Sequence, residues 1–160
     1  MATRDGTVRY GMAGGNKAAS GGATVTVWQV TAGAFALWID FNLFATAATL
    51  GVAYRVSTAI TLTSATTATI FSNDPNFAVD SGVLVQAGYA SAPSADAPAM
   101  MVNNYVSCDW IRGIHLPPAG VLSIWATTTN SALGAAIRFA EARFADNGIF
   151  IFGPRFAAIR

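Results

Sequence analysis

The sequence predicts an all-β protein: a β-sandwich or jelly roll of about eight to ten short strands, preceded by an extended Gly-rich N-terminal arm. Three observations carry this. Apolar and small polar residues alternate with a period of two, the mark of a half-buried strand. Thr, Val, Ile and aromatic residues fill those runs, as pleated surfaces prefer. Clusters of Gly, Pro, Asn and Asp punctuate them at short intervals.

Residues 1–23 stand apart. Gly6, Gly11, Gly14, Gly15, Gly21 and Gly22 fall there, with little that packs a core. By composition this is an arm. Its simplest placement is on a neighbouring subunit, the alternative being along its own domain, 24–160.

The strand runs follow in order. Thr24–Val30 opens the domain. Ala34–Phe41 sets Phe35, Leu37, Ile39 and Phe41 on one face against Ala34, Ala36, Trp38 and Asp40 on the other. Thr49–Val56 repeats the pattern, with Leu50, Val52, Tyr54 and Val56 against Thr49, Gly51, Ala53 and Arg55. Thr58–Thr63, Ala68–Ser72, Gly82–Tyr89, Asn104–Cys108 and Val121–Thr128 are further candidates. Asn73-Asp74-Pro75-Asn76 forms a turn, since Asn and Asp bond their own backbone and Pro presets φ. Ala90–Ala99 is a loop of small residues, and Pro117-Pro118-Ala119-Gly120 launches the strand at Val121. Asn147-Gly148 suits a tight hairpin. Ala135–Ala145 fits either a strand or a short helix with Ile137, Ala140 and Phe144 on one side; strand is the preferred reading.

Composition narrows function. The 160 residues include 9 basic and 8 acidic ones, for a formal net charge of +1. Charged residues make up 11% of the chain, less than half the roughly 25% of ordinary soluble domains. With 53% apolar residues the chain is not disordered. Its arginines are scattered among aspartates, so no basic field builds up for nucleic acid. A membrane-spanning helix needs about 20 consecutive apolar residues. The longest candidate, Phe44–Leu62, is broken by Arg55 and five hydroxyl residues. Residues 1–22 lack the apolar region of a signal peptide. Cys108 is alone and suits a small buried hydrophobe. No membrane or nucleic-acid partner is expected.

Chemistry is equally sparse. The chain holds one His, one Cys, one Glu and one Lys. His115 has Asp109 six residues earlier, but no nucleophile elbow accompanies them. Beside Pro117-Pro118 it reads as a surface or structural histidine. No metal-ligand spacing is present, and no paired carboxylates point to glycoside hydrolysis. Gly11–Lys17 lacks the spacing, the Ser/Thr after Lys and the preceding strand of a phosphate loop. No enzymatic activity and no cofactor are expected.

What remains is association. Eight Arg against one Lys and one Glu matches the bias of interfaces, though a GC-rich genome writes the same bias. Trp38 shares its face with Asp40, and Trp125 shares its face with Ser123 and Thr127, away from the most apolar residues. Each reads as a subunit anchor or as part of a sugar or receptor platform. Trp38, Trp125, Arg55, Lys17 and Arg9 are the candidate contact residues.

The phrase Gly113-Ile114-His115-Leu116-Pro117-Pro118-Ala119-Gly120-Val121-Leu122-Ser123-Ile124-Trp125-Ala126-Thr127 resembles a turn-then-strand phrase of β-sandwich virion proteins. With the Thr/Ala-rich strands and the arm, the chain resembles tailed-bacteriophage structural proteins of the capsid-decoration or cement type. The resemblance implies a trimeric or otherwise symmetric knob on a capsid, partnered by itself and by the major capsid protein. It implies assembly in the bacterial host cytoplasm and places the mature protein in the virion. A fibre or spike head that binds a receptor or glycan, or a neck or tail adaptor, is the alternative.

Overall fold

The computed structural model describes residues 8–45, 49–56, 59–74, 76, 78–94, 100–103 and 111–142; within these, side chains at 45, 49–56, 100–103 and 111–112 are not described. Eleven strands lie in the described residues: β1 (Val8–Lys17), β2 (Val25–Thr31), β3 (Ala36–Ala45), β4 (Thr49–Val56), β5 (Thr63–Thr67), β6 (Phe71–Ser72), β7 (Leu84–Ala90), β8 (Met100–Asn103), β9 (Ile111–Leu116), β10 (Val121–Ala126) and β11 (Leu133–Ala142). They form a five-stranded sheet, β6-β1-β11-β3-β9, and a six-stranded sheet, β5-β7-β2-β10-β4-β8. Every ladder is antiparallel.

Period-two alternation builds the core between the sheets. From the five-stranded sheet come Leu37, Ile39, Phe41 and Leu43 of β3 and Leu133, Ala135, Ile137 and Phe139 of β11. From the six-stranded sheet come Trp28 and Val30 of β2, Val85 and Ala87 of β7, and Leu122, Ile124 and Ala126 of β10. The indole N–H of Trp28 is satisfied across the layers, donating to the Leu133 carbonyl at 2.9 Å. This two-layer architecture is the expected sandwich.

The chain also covers a second face. Between β4 and β5, residues 59–62 cross the outside of the six-stranded sheet. There Ile60 and Leu62 pack on Val25, Val27, Ala90 and Trp125. Gln29 anchors the crossing: its Oε1 accepts from the Ile60 backbone N–H at 2.8 Å and from Ser123 Oγ at 2.9 Å. Gly88 leaves room for it, because a Cβ there would fall 2.9 Å from Leu62 Cβ and 3.0 Å from the Thr63 carbonyl oxygen.

Several expectations are corrected. Residues 8–17 are no arm on a neighbour: β1 pairs with β11 along its whole length, from Val8 opposite Ala142 to Lys17 opposite Leu133. A glycine-rich stretch makes a strand here because its partner's side chain fills the space. A Cβ at Gly11 would lie 2.7 Å from the Phe139 ring, the close approach that glycine permits. Of the run Thr58–Thr63, residues 59–62 are the crossing segment, since Ile60 and Leu62 pack against a sheet face, and Thr63 opens β5. Only Phe71–Ser72 of the run Ala68–Ser72 is a strand. Strands β8 and β9 were not foreseen. Leu133–Ala142 is strand, which resolves the strand-or-helix choice over 135–142. The strand at Asn104–Cys108 and the hairpin at Asn147-Gly148 lie outside the described residues.

Candidate interface on the five-stranded sheet

Register maps the outer face of this sheet row by row. One row runs Tyr10, Ala140, Trp38, His115 across β1, β11, β3 and β9. The next is Met12, Arg138, Asp40, with Phe71 of β6 beside Met12. Then come Gly14, Ala136, Asn42, and after them Asn16, Gly134, Phe44. Large apolar side chains here are left in solvent: Phe71 is 63% exposed, Tyr10 46%, Met12 45% and Phe44 37%. Three of them, Met12, Phe71 and Phe44, line a cleft of about 580 Å³ together with Gly14, Gly15 and Ala136. Its floor is close to bare backbone. Gly134 has no side chain to fill the space, and a Cβ there would press to 3.2 Å on the Phe44 ring.

Charged groups are few among the described side chains of this face. Arg138 approaches Asp40 at 3.7 Å, an ion pair 44% and 34% exposed and therefore a minor contributor to stability. Asp40 Oδ1 also accepts the Gly113 backbone N–H at 3.0 Å, where β9 shifts register and Gly113 takes φ 76°. Asn42, only 8% exposed, has a buried Oδ1 with no hydrogen-bond partner.

The sequence-selected residues scatter. Trp38 is half-buried on this outer face, its ring 4.9 Å from the exposed His115 ring and tilted by 54°. Trp125 is on the other sheet and 2% exposed, so its cover is the chain's own Ile60 and Leu62, not a partner. Arg55 stands opposite Ser123 in the β4/β10 ladder. Lys17 ties the end of β1 to β5: Nζ donates to the Ser64 carbonyl at 2.9 Å and sits 4.9 Å from the Tyr89 ring centroid. Arg9 faces Glu141 across β1 and β11, and its Nη1 donates to the Ala78 carbonyl. Arg9 and Lys17 thus make contacts inside the domain. Sequence reasoning missed Tyr10, Met12, Phe44 and Phe71 as a group. Their signal was apolar bulk on otherwise small-residue stretches, but only the β1/β11/β3 register gathers them.

Gly11–Lys17, rejected as a phosphate loop, lies within β1. Among the described residues no three His, Cys, Asp or Glu side chains cluster as a metal site would require. Compared with protein-family models, with curated proteins and with solved structures, the chain matches none.

Proposed function

We propose that this chain is a structural subunit of a bacteriophage particle, a decoration or cement protein that assembles with itself and with the shell. The observation that supports it is the cleft face of the five-stranded sheet. Monomeric proteins rarely leave large apolar side chains grouped around a bare floor, and such patches mark contact surfaces. The low charge of the chain points the same way. A subunit that binds the assembled shell but not its separate parts stabilises the shell by mass action, and that thermodynamic effect is the mechanism.

Contact through a face is favoured over strand addition, because three of the sheet edges are guarded. β6 is two residues long. β5 shifts register between Thr63 and Thr66, with Ser64 at φ 49°, and β9 shifts opposite Ile39 and Phe41. Short and bulged edges resist added strands.

Antibody raised against the purified protein and applied to virus particles from its source tests the reading. Regular labelling of the shell supports it; particles that lack the protein altogether overturn it. The second reading, a receptor- or glycan-binding head, draws on the row of Tyr10, Trp38 and His115. It requires that Trp38→Ala abolish glycan or cell binding while the oligomer survives.

A further inference from the structure

We propose that the cleft face takes a second copy of this chain across a two-fold axis. The Phe71 ring of each copy enters the hollow above Gly14 and Ala136 of the other. This rests on the assembly reading above and names the first contact it uses.

Shape supports a self-contact. An isologous interface requires one patch to carry both halves of the fit, so that residue i meets j and j meets i. Here Phe71, the most exposed aromatic ring among the described residues, stands opposite Met12. The hollow begins two residues along β1, at Gly14, and continues onto Ala136. Knob and hollow therefore lie side by side on one surface. A two-fold axis in the plane of contact, passing between them, seats each ring in the opposite hollow.

Charge selects the same occupant. A surface that meets its own copy is repelled by any net charge it carries. Among the described side chains of this face the charged ones are Arg138 and Asp40, one of each sign and paired; Arg112 of β9 also falls in the register shift opposite Asp40. A membrane surface or a nucleic acid would call for a basic face instead. Size also suits. With β1, β3 and β11 ten residues long, β9 six and β6 two, roughly 4.8 Å spacing and roughly 3.3 Å rise give a face of about 600 Å². Two such faces together reach the lower end of the range for stable interfaces, about 1,200 Å². An aromatic ring entering a desolvated pocket is the kind of contact that dominates such interfaces.

The test uses the full chain with Cys108→Ser as background. Phe71→Cys and Ala136→Cys are made in separate chains, mixed and oxidised. The mixture is expected to give a cross-linked pair far more efficiently than either variant alone, because ring meets hollow while ring stays apart from ring. Sedimentation of the unmodified protein is expected to show a reversible dimer or a multiple of it. Phe71→Ser is expected to raise its dissociation constant about ten-fold or more. Ala136→Gln, which fills the hollow and leaves the ring alone, is expected to do the same. Circular dichroism of each variant controls for folding. A mixture that cross-links no better than its components overturns the proposal, as does an unmodified protein that stays monomeric at high concentration. If the mass is oligomeric but the mixture fails, the self-contact lies elsewhere and shell labelling still decides the proposed function. If cross-linking succeeds and particles lack the protein, the self-contact stands and the virion role falls.

Discussion

Glu141, the only glutamate in the chain, is fully buried, and its Oε2 accepts the backbone N–H of Asp80 at 2.9 Å. Arg9 lies opposite Glu141 in the β1/β11 ladder and holds the Ala78 carbonyl, so the segment 78–80 is gripped at two points. Between them Val79 packs against the core and reaches Gly11. Asp80 carries the grip onward, since its Oδ2 accepts the Ala34 backbone N–H at 2.9 Å. This cluster closes one end of the sandwich. It gives the buried carboxylate a hydrogen-bonded place in the fold.

Glu141→Ala removes the acceptor for Asp80 and opens a void beneath the segment. It is expected to cost about 2–4 kcal/mol in denaturant unfolding, by orphaning buried polar groups. Glu141→Gln keeps an acceptor oxygen and should cost clearly less. Equal losses for the two would show that charge, not the hydrogen bond to Asp80, holds the segment.

Gln29 offers a double-mutant cycle. With Gln29→Met, both the Ile60 N–H and the Ser123 hydroxyl lose their acceptor, at an expected cost of about 2–3 kcal/mol. Adding Ser123→Ala removes one orphan donor. The pair should therefore be less damaging than the sum of the single changes. Simple additivity in urea midpoints would mean that the Gln29–Ser123 bond carries no coupling.

Gly88→Val should lift the crossing segment off its sheet. The added side chain meets Leu62 Cβ and the Thr63 carbonyl, and the second of these is backbone that cannot swing away. A loss of about 1–3 kcal/mol is expected from overpacking. Trp125 should become more open to acrylamide quenching, read with Trp28, Trp38 and Trp110 replaced by Phe. Unchanged quenching would show that the cover tolerates the bulk.

Asn42→Leu should stabilise the fold, by about 1 kcal/mol, because it removes a buried oxygen that has no partner and keeps similar volume. Thermal and denaturant midpoints are the measurement. A lowered midpoint would mean that Asn42 makes a contact in solution that replaces the missing one.

Parts of this molecule were written plainly in the alternation. Thr49–Val56 matches β4, and the inward set Leu37, Ile39 and Phe41 is the core face of β3. β3 buries one side, so its own residues carry the period. β1 was hidden for the opposite reason. Its buried positions include Gly11 and Ala13, and the bulk over them belongs to Phe139, 128 positions beyond Gly11 in the chain. The alternation turns Trp125 away from the face of Leu122, Ile124 and Ala126, and the structure has it so. Its cover comes from Ile60 and Leu62, which no local period could reveal. The cleft escaped notice similarly: Met12, Phe44 and Phe71 sit on three strands that only long-range pairing brings together.

The order of strands has a consequence for how the chain emerges during synthesis. β10 joins β2 to β4 at the middle of one sheet, and β11 joins β1 to β3 at the middle of the other. Both central strands come after every other strand of the described residues. Until residue 142 has left the ribosome, β1 and β3 have no common neighbour, and β2 and β4 have none until residue 126. Nascent chains should therefore carry Leu37, Ile39, Phe41 and Trp28 uncovered for most of translation, and settle in one late step. Non-local pairing of this kind folds slowly and exposes apolar surface meanwhile. These two strands act as keystones, and a truncation before Leu133 should leave neither half able to stand alone.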